Sequence, residues 1–127
     1  MTKVLVFEDV ERDQAQFRTT LEGAGCSVRL INHAFPERER EAIVDFAPDL
    51  AIVDSRFQTD IDGADIIRFL HVTLPDVPIV VCSMLFDDHT KRQSIYSHYK
   101  NAPGVRSLFP KSPFPTAEEI LACRTVS

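Results

Sequence analysis

The sequence predicts an α/β fold: a doubly wound, five-stranded parallel sheet in the order 2-1-3-4-5, with helices on both faces. Three continuous apolar runs, at 4–7, 50–53 and 79–82, are typical of strands covered on both sides. Segments with helical spacing of apolar residues lie between these runs, so that strands and helices alternate about five times along the chain. Right-handed crossovers then favour the doubly wound arrangement.

Two further strands are less distinct in the sequence. Ser27 to Ile31 has a strand pattern that Arg29 interrupts, which indicates the edge of the sheet. Ser107 to Phe109 forms a short apolar stretch near the end of the chain. We expect it to be the fifth strand.

Helix signals fill the segments between the strands. Val10, Phe17 and Leu21 share one face of a first helix, and Gly23 and Gly25 stand where its end is expected. The later signals are an amphipathic segment from Pro36 to Phe46, a stripe of Ile66, Ile67, Leu70 and Leu74 that Pro75 ends, and a capping box from Thr116 to Glu119 that opens a last helix.

The stretch from Met84 to Val105 is polar and has few helix signals. Asp87 or Asp88 could cap a helix, and Ile95 and Tyr99 lie one turn apart. We therefore expect an irregular fourth helix. The aromatic residues Phe86, Tyr96 and Tyr99 favour either a partner surface or, for at least one of them, a place in the core.

Length and composition indicate one globular domain over residues 1–127. A hydrophobic content of 44% is sufficient for a core in a chain of this length. The net charge of −5 argues against a nucleic-acid partner. Three cysteines without a CxxC pair favour a reducing cytoplasm over a disulfide framework or a zinc site. No apolar stretch approaches the roughly 18 residues of a membrane span, and the strand-like run beginning near Met1 leaves no room for a signal peptide.

Five polar side chains are predicted to meet at one rim of the sheet. Glu8 and Asp9 follow the first strand, Asp54 the third, Ser83 the fourth and Lys111 the fifth. In an open parallel sheet this rim, at the carboxyl ends of the strands, is where ligands bind. Carboxylates placed together repel one another unless a cation lies among them, and hard oxygen ligands with open positions suit Mg²⁺. One carboxylate could then act as a nucleophile toward phosphorus, with the lysine and the hydroxyl holding phosphoryl oxygens.

Other ligands of this rim fit the sequence less well. The first turn reads Phe7-Glu8-Asp9-Val10 where a dinucleotide site needs GxGxxG, and its acids would repel a pyrophosphate. The chain contains no GxxxxGK[ST] phosphate loop, and no G-x-S-x-G surrounds Ser83.

Taken together, the motifs resemble the receiver domain of two-component response regulators from Lys3 to about Leu121. The matching stretches, in order, are 4–9, 50–54, 62–63, 80–83 and 111–114. The resemblance implies that Glu8, Asp9, Asp54 and the backbone carbonyl of Arg56 hold Mg²⁺. It further implies that Asp54 is the phosphoacceptor, that Ser83 is the switch hydroxyl and that Lys111 pairs with a phosphoryl oxygen.

Several positions depart from the family pattern. Ser112 separates Lys111 from Pro113, so that the cis peptide bond of the family could form only one residue later, at Ser112–Pro113. Leu108 stands where an aromatic switch residue is common, and Met84 stands where a small residue is usual. The loop from Asp54 to Gly63 and the span from Ser83 to Lys111 are both longer than in the family.

Each site residue alone has an ordinary explanation. Acids such as Glu8, Asp9, Glu11 and Asp13 favour a helix start, and Asp9 could be its N-cap. Asp54 and Ser83 could be turn residues, and Lys111 could be a solvated surface cation. The joint occurrence of these residues at strand ends favours a phosphorylation pocket.

Three functions follow from these observations. The first is a phosphoryl-accepting switch that receives its group from a histidine kinase or phosphotransfer protein and acts on a downstream protein as a monomer or weak dimer. The second is a receiver-like binding module that signals without phosphate. The third, a small phosphatase, lacks a second acid for the leaving group, so that we expect no enzyme beyond self-phosphorylation and slow self-dephosphorylation.

Overall fold

A computed structural model of the chain describes residues 1–54, 63–84 and 97–124. These residues form a five-stranded parallel sheet in the order β2-β1-β3-β4-β5. The strands are β1 (Lys3–Phe7), β2 (Ser27–Ile31), β3 (Leu50–Val53), β4 (Ile79–Ser83) and β5 (Val105–Pro110). The predicted fold class and strand order are confirmed, and β2 lies at the sheet edge as Arg29 indicated.

The helices alternate with the strands along the chain. They are α1 (Glu11–Glu22), α2 (Arg40–Phe46), α3 (Gly63–Thr73), the helical residues 97–100, named α4 here, and α5 (Ala117–Leu121), with 3₁₀ turns at Pro36–Glu39 and Ala122–Arg124. Among the described residues, no helix has the length and apolar character needed to cross a bilayer.

The sheet separates two hydrophobic cores. Successive residues of a strand point to opposite faces, so that Leu5 and Phe7 pack on one side of β1 while Val4 and Val6 pack on the other. The first core contains residues of α2, α3 and α4, and the second contains residues of α1 and α5. Helices therefore cover both faces, as predicted. The continuous apolar strands fit this arrangement because neither of their faces meets water.

Helix α1 begins one residue later than its apolar spacing indicated. Val10 has an extended backbone and occupies the N-cap position, and its side chain is exposed. It is therefore wrong to place Val10 on the buried face with Phe17 and Leu21. Asp13 takes that place, because it lies one turn before Phe17 and is buried. The possibility that Asp9 caps the helix is also wrong.

The ends of the other helices follow the sequence signals with local changes. The segment from Pro36 to Phe46 begins as a 3₁₀ turn, and α2 proper starts at Arg40. Thr116 and Glu119 form the predicted capping box of α5. The peptide bond at Ser112–Pro113 is cis, the conformation that the sequence allowed at this position.

The segment predicted to hold an irregular fourth helix, from Met84 to Val105, lies largely outside the described residues. Residues 97–100 are helical, and Tyr99 is buried in the first core, which confirms that at least one of the three aromatics is a core residue. Phe86, Tyr96, Ile95 and the candidate caps Asp87 and Asp88 lie outside the described residues.

The end of α2 provides a test of the backbone geometry. Ala47 has φ 51° and ψ 63°, which is the left-handed region that costs a residue with a Cβ about 1 kcal/mol or more. We expect Ala47→Gly to raise the free energy of unfolding by about 0.5–1 kcal/mol, measured by urea denaturation. The matched control is Ala15→Gly at an exposed position of helix α1, which should lower the free energy of unfolding by about 1 kcal/mol. A loss of stability at both positions would contradict the left-handed geometry.

Candidate functional site

Strand register brings the first two site residues together. Phe7 of β1 pairs with Val53 of β3, so that Glu8 and Asp54 each come directly after a paired position. The backbone N–H of Asp54 donates to the carbonyl of Phe7 at 3.0 Å, which extends the ladder to the edge of the site. Both carboxylates therefore leave the sheet at the same level.

The last two strands deliver Ser83 and Lys111 to the same rim. Ser83 is the final residue of β4 and pairs with Pro110, the final residue of β5. Lys111 follows immediately. Ser83 is buried. The side chain of Lys111 is only 6% exposed, which rules out the alternative that this lysine is a solvated surface cation.

Three carboxylates form a compact oxygen cluster at the rim. One oxygen from each of Glu8, Asp9 and Asp54 lies within 4.8 Å of the other two. Glu8 and Asp54 are buried, and Asp9 is half-buried. The structure thus brings together the three side chains predicted to hold a metal.

The ammonium of Lys111 lies among the carboxylates. Its Nζ donates to Glu8 Oε2 at 2.8 Å, to Asp13 Oδ2 at 2.8 Å and to Asp54 Oδ2 at 3.3 Å. All four side chains in this network are less than one-tenth exposed. The lysine therefore connects the end of β5 to α1 and to the ends of β1 and β3.

Asp13 is a member of this network that the sequence analysis did not place in the site. Asp13 was explained as one of the acidic residues that favour the first turn of a helix, here α1. The signal that could have identified it is its spacing, because Asp13, Phe17 and Leu21 lie four residues apart on one face of α1, and all three are buried. A carboxylate in such a row needs a cationic partner.

The charge balance of the five side chains suits a divalent cation. Glu8, Asp9, Asp13 and Asp54 contribute four carboxylates and Lys111 contributes one ammonium, an excess of three negative charges when all are ionised. Hard carboxylate oxygens in this number are the ligand type that Mg²⁺ and Ca²⁺ prefer. The donor set therefore fits a hard divalent ion at Glu8, Asp9 and Asp54.

Burial and crowding change the acid–base properties of the site. Burial, with the neighbouring charge of Asp54, raises the pKa of Glu8 to about 8, although Lys111 acts against this shift. Burial alone would lower the pKa of Lys111, but Asp54, Asp13 and Glu8 outweigh it and raise that pKa above its ordinary value. Lys111 thus remains charged at neutral pH.

Glu8 also fixes the turn between β1 and α1. Its side-chain Oε1 accepts the backbone N–H of Val10 at 3.1 Å, and its backbone carbonyl accepts Gln14 Nε2 at 2.7 Å. Its other oxygen, Oε2, faces Lys111. These contacts hold the Glu8 carboxylate in one orientation.

The departures from the family pattern have different outcomes. Ser112 does not displace Lys111, because the pairing of Pro110 with Ser83 sets the position of Lys111 before Ser112 is reached. The side chain of Met84 is exposed, and Leu108 packs half-buried against the first core. Arg56, whose carbonyl was predicted to be a metal ligand, lies outside the described residues.

Cys82, which precedes Ser83, is a buried residue of the second core. Burial raises the pKa of its thiol. In this position Cys82 serves as a small apolar side chain.

Solved structures share this fold. A response regulator receiver domain protein from Clostridium thermocellum is 18% identical and superposes with a TM-score of 0.75, covering 98% of this chain and 91% of its own. A response regulator protein from Burkholderia pseudomallei with a phosphorylated aspartic acid, calcium ion and citrate is 19% identical, with a TM-score of 0.73 and coverage of 99% and 68%. The response regulator protein TrrA from Thermotoga maritima, in complex with Mg²⁺-BeF, is 15% identical, with a TM-score of 0.65 and coverage of 87% and 86%.

No protein-family model matches the sequence, and no curated protein matches it significantly. The structural similarity shows that the chain has the fold of response regulator receiver domains. This agrees with the resemblance seen in the sequence motifs.

The raised pKa of Glu8 predicts how stability depends on pH when divalent ions are removed. The folded state keeps a proton on Glu8 that the unfolded state loses above its ordinary pKa of 4.5. This contribution to the free energy of unfolding therefore falls as pH rises from 4.5 to about 8. Between pH 6 and pH 8 we expect the free energy of unfolding of the wild type to fall by an amount on the order of 2 kcal/mol, measured by urea denaturation in EDTA. This fall should be absent in Glu8→Gln, which has no carboxyl group to titrate at this position.

The control for that measurement is Glu22→Gln on the exposed end of α1, which should keep the wild-type pH dependence. An equal pH dependence in wild type and Glu8→Gln would contradict the raised pKa of the buried Glu8 carboxyl group.

Proposed function

We propose that the domain is a phosphoryl-accepting receiver of a two-component phosphorelay, with Asp54 as the phosphoacceptor. The observation that carries the proposal is the convergence of Glu8, Asp9 and Asp54 within 4.8 Å, with the Lys111 ammonium 3.3 Å from Asp54 Oδ2. These groups stand at the carboxyl ends of the strands of a receiver fold, where ligands of doubly wound sheets bind.

The proposed chemistry needs a carboxylate nucleophile and a positively charged surrounding. A carboxylate oxygen of Asp54 attacks phosphorus, the bond from phosphorus to the donor atom breaks, and an acyl phosphate forms. When the donor is a phosphohistidine, the P–N bond breaks and the imidazole takes up a proton. Phosphoryl transfer depends mainly on position and charge neutralisation, so that few catalytic groups are needed.

The positions of the other residues support definite roles. Lys111 donates toward Asp54 already and would donate to a phosphoryl oxygen built on that residue. Ser83, buried at the end of β4, would supply its hydroxyl to a second phosphoryl oxygen. Glu8, Asp9, Asp54 and the carbonyl of Arg56 would hold Mg²⁺, which when bound supplies positive charge to the phosphoryl oxygens.

Two of the structural relatives support this chemistry. The Burkholderia pseudomallei protein carries a phosphorylated aspartic acid with a calcium ion, and TrrA binds Mg²⁺-BeF. Among the described residues, Asp54 is the carboxylate that both follows β3 and belongs to the oxygen cluster. We infer the same use of the site here.

The partners and output follow from the proposed reaction. The phosphoryl donor would be a histidine kinase or phosphotransfer protein in the cytoplasm, and the output would be contact with a downstream protein. No further catalytic activity is proposed beyond gain and loss of the phosphoryl group. The buried network around Lys111 supports a switch, because a new phosphoryl group must change its hydrogen bonds.

A phosphorylation-independent binding module is the second candidate. The feature that favours it is the internal counter-charge, because Lys111 already donates to three carboxylates. Such a module would bind its protein partner with the same affinity in wild type and in Asp54→Ala.

Phosphorylation of Asp54 is tested with acetyl phosphate and Mg²⁺. Intact-mass spectrometry should show one added phosphoryl group in the wild type, stable in acid and lost in base, and no addition in Asp54→Asn. The matched control is Asp49→Asn, which changes the exposed acid just before β3 and should leave incorporation unchanged. Absence of incorporation in the wild type, with phosphoramidate as a second donor, would refute the proposed function.

Removal of the Lys111 ammonium should slow the same reaction. We expect Lys111→Met to lower the initial rate of incorporation by about tenfold to a hundredfold, since one donor to the transferred group is lost. Lys3→Met, an exposed lysine at the other end of β1, is the control and should react like the wild type. Circular dichroism of each variant separates loss of fold from loss of rate, and an unchanged rate in folded Lys111→Met would exclude the lysine from the reaction.

A further inference from the structure

Asp13 holds the lysine of the site without belonging to the oxygen cluster. Its Oδ2 accepts from Lys111 Nζ at 2.8 Å, the same distance as the contact from Glu8 and shorter than that from Asp54. Among the described residues, the carboxylates grouped within 4.8 Å are those of Glu8, Asp9 and Asp54, without Asp13. The contact of Asp13 in the site is therefore with Lys111.

The location of Asp13 makes this contact strong. The side chain is 7% exposed and projects from α1 toward the sheet in the row that contains Phe17 and Leu21. Lys111 is 6% exposed, so that the pair is shielded from water and salt. Arg12 Nε approaches Asp13 Oδ1 only at 3.7 Å and is largely exposed, so that it competes weakly with Lys111.

Occupation of the proposed site changes the other two contacts of Lys111. Glu8 is proposed to hold the metal ion, and Asp54 is proposed to carry the phosphoryl group. Among the described residues, three carboxylates accept from Lys111, and Asp13 is the one of them with neither task. A phosphoryl oxygen must then share the lysine with Asp13.

We propose that Asp13 is a positioning residue that competes with the phosphoryl group for Lys111 and so limits how tightly the site retains it. The inference rests on the proposed function of Asp54. Since an ammonium distributes its charge between the acceptors around it, a carboxylate at 2.8 Å weakens the bond that the same ammonium forms with a phosphoryl oxygen. Asn at this position keeps an oxygen acceptor and removes the negative charge.

The test is a calorimetric titration of beryllofluoride, a phosphoryl mimic, into the domain with saturating Mg²⁺. We expect Asp13→Asn to bind the mimic about fivefold more tightly than the wild type and to lose the acyl phosphate of Asp54 more slowly. The Mg²⁺ affinity of Asp13→Asn, measured without the mimic, should differ from that of the wild type by less than about twofold, because Asp13 lies outside the oxygen cluster. Glu11→Gln, an exposed acid two residues earlier on α1, should match the wild type in both titrations.

A double-mutant cycle separates an effect through Lys111 from a general structural effect. In the Lys111→Met background, Asp13→Asn should no longer tighten binding of the mimic, and Lys111→Gln is the second background if the Met variant does not fold. Equal affinity in wild type and Asp13→Asn, or an equal gain with and without Lys111, would overturn the role of Asp13. Failure of the wild type to bind the mimic would instead overturn the proposed function, and the inference with it.

Discussion

The ion network of Lys111 is the interaction on which the site depends. A buried carboxylate is costly unless a cation and hydrogen bonds compensate it, and here three buried carboxylates share one ammonium. The contacts join residues 98 and 103 positions apart, so that they also bind the end of β5 to α1 and β1. The loss of this lysine would therefore remove a tertiary link and take away the ammonium that three buried carboxylates share.

The fold and most of the site could be predicted because one rule governs both. Continuous apolar runs identify β1, β3 and β4, and a polar residue directly after a buried parallel strand must lie at the carboxyl rim. The register then brings Glu8 beside Asp54, and Ser83 beside the residue that precedes Lys111. Convergence of these side chains follows from strand ends alone, without knowledge of any loop.

The missed features depend on helix phase, which the sequence determines less sharply. An extended Val10 shifts the start of α1, so that the buried row begins at Asp13 and not at Val10. An acid in the first turn of a helix has a ready explanation in the helix dipole, and this concealed its burial. The initial 3₁₀ turn at Pro36–Glu39 likewise leaves the amphipathic pattern intact, although the backbone differs.

Glu8 connects the two cations of the proposed site. Its Oε2 accepts from Lys111, while the same carboxylate belongs to the oxygen cluster with Asp9 and Asp54. A divalent ion at that cluster would draw negative charge from Glu8 and so weaken the hold of Glu8 on the lysine. The balance would then move toward Asp13, whose contact with Lys111 does not involve the cluster. Metal binding and the position of the lysine would thus be linked through one buried carboxylate, which follows the end of β1, while the lysine follows the end of β5.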